Sequence, residues 1–149
     1  MPLPTLKRAL AIWFAIMLTE SIHGTLRTLY LEPIMGGFRA RQLSTVTATI
    51  IIFTITWFTM RWLRAATSMR GEQGGGGLRR GSRLSTAVGL VIGAIWVALT
   101  LIFEFSLGQA FGMTWPRMLE DYDLTRGGLM GLGLAAMFVT PWVVNRYRK

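Results

Sequence analysis

The sequence contains no cysteine and a single histidine. Without cysteine there is no disulfide, thiolate metal site, thiol nucleophile or thioredoxin-like redox pair. One histidine excludes a haem held by two imidazoles within the chain, and also a full di-iron bundle site, which needs two Glu-x-x-His motifs. Charge is scarce too: 15% of the residues are charged, with only 7 acidic against 16 basic. The glycine run at 74–77 is not a phosphate-binding loop, and no nucleophile elbow or zinc-protease motif is present.

What the chain does have is apolar residues, 52% of the total, gathered in blocks rather than scattered at the period of a soluble helix. A bilayer core needs about 20 mostly apolar residues in helical form. Four stretches qualify, at 9–31, 43–62, 86–108 and 127–145, and predict one all-α membrane domain over 1–149. The start of the first stretch, Lys7 and Arg8 before a short apolar run, has the form of a signal peptide. Yet Glu20, Ser21, Ile22 and His23 make no small-residue cleavage site, so a retained helix is expected.

The net charge of +9 would suggest nucleic acid in a soluble domain, but here its placement is topological. Lys7 and Arg8 precede the first span. Arg61, Arg64, Arg70, Arg79, Arg80 and Arg83 lie between the second and third, and Arg146, Arg148 and Lys149 follow the fourth. All fall on one side, which predicts a multi-pass membrane protein with both termini and the middle loop cytoplasmic. Its expected partner is the lipid bilayer and not nucleic acid. Residues 65–85 read as a flexible basic cytoplasmic loop, whose Arg79, Arg80 and Arg83 suit anionic lipid.

Glu20 and Glu104 each stand four residues before a glycine near the outer end of an odd-numbered span. Each is followed by a loop with one proline, Pro33 or Pro116, and then by Arg41 or Arg126. The pattern suggests two helical hairpins related as a pseudo-repeat.

Glu20, His23, Gly24 and Arg27 share one helical face. A charge near the bilayer centre costs roughly 2.5–3.5 kcal/mol on insertion scales, so partners are expected. Candidates are Glu104 and the outer-loop residues Glu32, Arg39, Arg41, Arg117, Glu120, Asp121, Asp123 and Arg126. As a structural network, these opposite charges would pin the outer loops over the bundle. Alternatively, Glu20, His23 and Glu104 offer two carboxylates and an imidazole to a divalent metal. In a third reading the cluster is a titratable relay or substrate site, with the arginines holding an anionic headgroup.

In "MTWPRMLEDYDLTRGGLM" at 113–130, Trp115, Pro116 and Tyr122 suit a short interfacial segment, and Asp123 is placed to cap the fourth span. Gly127, Gly128, Gly131 and Gly133 form a small-residue face. The threonines at 45, 47, 49, 54, 56 and 59 are expected to bond back to their own helix. Taken with "HGTLRTLYLEPIMGGFRARQLS", this stretch resembles a group of small uncharacterised four-span bacterial membrane proteins. That resemblance implies a bacterial inner-membrane location and no particular activity. The expected role is a non-enzymatic subunit or small homo-oligomer, with a metal-dependent membrane enzyme or a small ion-coupled transporter as alternatives.

Overall fold

The computed structural model describes residues 3–68, 85–126 and 128–147, excluding the side chains of 66–68 and 126, and every described element is helical. Helix α1 (Leu3–Leu26) runs through a widened π turn at Arg27–Leu31 into the short α2 (Glu32–Met35). The widening follows from Pro33, which has no N–H to give the carbonyl one turn earlier and whose ring crowds it. Gly36, at φ 79°, then stops the helix and turns the chain directly into α3 (Gly37–Ser68).

Helix α4 (Thr86–Ala110) starts at Ser85, whose side chain caps the Val88 N–H. After it come α5 (Trp115–Leu119), two 3-10 turns at Glu120–Tyr122 and Leu124–Arg126, and α6 (Met130–Tyr147). Among the described residues, three helical stretches are long and apolar enough to cross a membrane: Leu3–Met35, Gly37–Ala65 and Thr86–Ala110. Exposed Phe14, Leu18 and Ile22 make an apolar stripe along α1, opposite a buried seam of Thr5, Ala9, Ile12 and Ile16. An apolar outside around a packed inside is what a bilayer solvent selects.

Helix α1 packs on α3, α3 on α6 and α6 on α4, while α1 and α4 touch more lightly. The registers are explicit. Trp96 donates to the Ala9 carbonyl at 2.9 Å and Trp13 to the Thr100 hydroxyl at 3.1 Å, so α1 and α4 advance together and are parallel. Arg8 meets Trp62 and His23 meets Thr47, so fifteen residues forward on α1 is fifteen back on α3. The core is Trp96 with Ile12, Ile16, Ile92, Met60, Leu63 and Val144.

A close helix crossing lies at two glycines of α4. A Cβ on Gly93 would run into the Phe138 carbonyl oxygen, and one on Gly89 would lie 3.2 Å from Trp142 Cα. The G-x-x-x-G pair of α4 thus lets α6 approach backbone to backbone. Of the expected glycine face, Gly133 meets Thr45, Gly131 meets nothing, Gly128 packs on the Asp121 carbonyl and Gly127 lies outside the described residues.

Two boundaries differ from the sequence reading. Helix α3 continues to Ser68, so the loop read from 65 begins later, and its remainder at 69–84, with Arg70, Arg79, Arg80 and Arg83, lies outside the described residues. Helix α6 begins at Met130, not at 127, and Asp123 does not cap it: Asp123 Oδ1 accepts the N–H and hydroxyl of Thr125 at 2.9 and 2.6 Å, shaping the preceding turn. The two glycines matched in the pseudo-repeat also differ, since Gly24 is open while Gly108 is closed over by Met118.

Candidate polar site at one end of the bundle

The expected polar face of α1 is divided by the structure. His23 points at α3, with Nε2 2.8 Å from the Thr47 hydroxyl and Nδ1 3.5 Å from Glu20 Oε2. The Thr47 hydroxyl also lies 3.1 Å from the carbonyls of Leu43 and Ser44, to which it donates, leaving it to accept from the imidazole. Nε2 is thus placed to donate to Thr47, and Nδ1 faces the carboxylate. Glu20 Oε1 is buried without a hydrogen-bond partner.

Arg27 does not join them. The π turn swings it to Glu32, whose Oε1 is 3.3 Å from Nε, although Nε makes no directed hydrogen bond. Glu104, from α4, accepts from the Tyr122 hydroxyl at 3.5 Å and lies within electrostatic reach of both Glu20 and Asp121. Tyr122 stacks on Phe105, with ring centroids 6.1 Å apart. Burial, with Glu104 beside it, pushes the Tyr122 phenol up to about 12.

The second centre is Asp121. Arg41, from the first turns of α3, reaches Asp121 Oδ1 at 3.2 Å, and Arg117 of α5 lies 3.7 Å from the same oxygen and 3.1 Å from Glu120. Through Arg41 and Asp121 the segment after α4 is tied across to α3. Met118 is the hydrophobic counterpart of this tie, buried over Gly108.

Of the residues expected here, Glu20, His23, Glu104, Arg41 and Asp121 are gathered at one end of the bundle. Arg27 and Asp123 serve their own turns, Arg39 is exposed and takes no part in the described ion pairs, and the Arg126 side chain lies outside the description. Thr47 and the Tyr122 hydroxyl were not anticipated. Nothing in the local sequence marks Thr47, because its role depends on the α1/α3 register. Among the described residues, no three histidine, aspartate or glutamate groups are arranged to hold a metal ion, so Glu20, His23 and Glu104 do not form the compact set such a site requires.

Compared with protein-family models, curated proteins and solved structures, the chain matches none.

Proposed function

We propose that this protein is a non-enzymatic four-span component of a bacterial inner membrane, with both termini cytoplasmic and a polar outer end that locks its helices in register. Support for the fourth span comes from α6, whose 18 residues reach about 27 Å, close to the thickness of a bilayer core. Support for the orientation comes from Lys7, Arg8, Arg61, Arg64 and Arg146, which lie at the end opposite the polar cluster, where no described residue is acidic. The resemblance to small four-span bacterial proteins agrees with this reading, and the two glutamate-to-glycine spacings are what a duplicated hairpin would leave behind.

The observation that carries the lock is the Arg41–Asp121 pair, which joins α3 to the segment following α4. Its members are 35% and 45% exposed. Such a pair contributes roughly 0.2–1 kcal/mol, and the shared Arg117 adds to it only modestly. The lock is therefore shallow, a bias of a few-fold rather than a permanent clasp. A double-mutant cycle with Arg41→Gln and Asp121→Asn, read by thermal unfolding in mild detergent, should give a favourable coupling within that range. Strictly additive losses would remove the lock.

A further inference from the structure

At the end away from the polar cluster, α1 and α4 begin and α3 and α6 finish. Arg8 stacks 5.1 Å over the Trp62 ring and donates to the Trp62 carbonyl, fastening the start of α1 to the end of α3. This contact brings the chain neighbours Lys7 and Arg61 to the same crossing. Both are exposed, and among the described residues neither side chain has an ion pair or hydrogen bond. The other cations at this end are engaged: Arg64 bonds to Asn145 at 3.1 and 2.6 Å, and Arg146 lies 6.0 Å over Trp142. The acidic residues that are described, Glu20, Glu32, Glu104, Glu120, Asp121 and Asp123, belong to the opposite end, and Glu72 lies outside the described residues.

Three positive groups at one helix crossing repel one another unless an anion joins them. The surroundings say what kind of anion. On α1, Lys7 belongs to a single stripe with exposed Leu3, Leu10 and Phe14, and on α3 Arg61 stands beside exposed Phe58 and Trp62. Cations set at the edge of apolar stripes, with an indole beneath Arg8, complement a molecule that has a charged head and hydrocarbon tails.

We propose that Lys7 and Arg61 form a two-cation clamp for the phosphate of an anionic phospholipid, with Arg8 and Trp62 as its floor and the Leu10–Phe14 stripe against its acyl chain. The clamp rests on the membrane-spanning reading of α1 and α3, and its placement suits the negatively charged cytoplasmic leaflet.

The test is native mass spectrometry of the delipidated full chain titrated with dioleoyl phosphatidylglycerol or dioleoyl phosphatidylcholine. The expected result is preferential retention of phosphatidylglycerol. Lys7→Gln and Arg61→Gln should each weaken that retention about fivefold, the effect of one basic side chain at an anionic headgroup surface, and the double variant should show no preference. Lys7→Arg should keep it. Equal retention of the two lipids by the unaltered chain would overturn the clamp, as would an undiminished preference in the double variant. Thermal unfolding of the double variant in neutral detergent shows that it is folded. A chain that needs detergent for extraction yet has no lipid preference would refute the clamp while leaving the spanning reading in place.

Discussion

At the scale of single residues, the polar cluster is a matter of which partner each side chain finds. The sequence placed Glu20, His23 and Arg27 on one face, but helical spacing cannot know that Pro33 will open a π turn and carry Arg27 away to Glu32. Tyr122 shows the converse, an aromatic that reads as interfacial and turns out to be the hydrogen-bond donor to Glu104. Because its phenol is raised from 10.0 to about 12, the folded protein holds that proton more tightly than the unfolded chain does. The stability that Tyr122 contributes is thus complete below about pH 10 and is lost as the pH rises toward 12. Tyr122→Phe should flatten this alkaline loss, as followed by tyrosinate absorbance together with circular dichroism. An alkaline profile identical in both proteins would disconnect the phenol from stability.

At the scale of elements, helix identity was legible because long apolar blocks leave a chain in lipid few alternatives to hydrogen-bonding itself as helix. The threonines illustrate how local this is: Thr45, Thr49, Thr54, Thr56 and Thr59 each bond to the carbonyl four residues earlier, as expected from the sequence alone. Element ends were less legible, since α3 and α1 extend past their apolar runs and Asp123 shapes a turn instead of a cap. Helix pairing was not legible at all. G-x-x-x-G at 89–93 was a readable signal for a close crossing, whereas the glycines at 127–133 attracted attention with less consequence. Gly93→Ala should destabilise the α4/α6 contact by about 1–3 kcal/mol or more, because the new methyl meets a backbone carbonyl that no rotamer can move aside. Gly24→Ala, with nothing within 4 Å, should be neutral or slightly stabilising. Unfolding temperatures in detergent compare the two, and equal effects would contradict the close crossing.

For the whole molecule, alternating helices keep the described acidic residues at one end, with Arg41 and Arg117 among them, and leave the other end basic. Arg8, Arg61, Arg64 and Arg146 come together at the basic end, and Glu104, Glu120 and Asp121 at the acidic one. The sheltered Arg64–Asn145 bonds and the Arg8–Trp62 contact fasten the basic end as the Asp121 network fastens the acidic one. Because the chain has no cysteine, any introduced thiol is unique. Phe111→Cys and Tyr147→Cys, at positions 74% and 68% exposed, should react with a membrane-impermeant maleimide from opposite sides, Phe111→Cys in intact spheroplasts and Tyr147→Cys only after lysis. Labelling of both from one side would mean that α6 does not cross.

By itself the sequence determined that this chain is helical, that its long helices are apolar enough for lipid, and that its charges divide between helix ends. Each of these follows from residue type and spacing along one stretch of chain. Tertiary structure decided that His23 bonds to Thr47, that Asp121 gathers Arg41 and Arg117, that Gly93 lies under Phe138, and that Lys7 and Arg61 share a crossing. The reason is physical: each pairing depends on the register between two helices, and packing many side chains at once fixes that register.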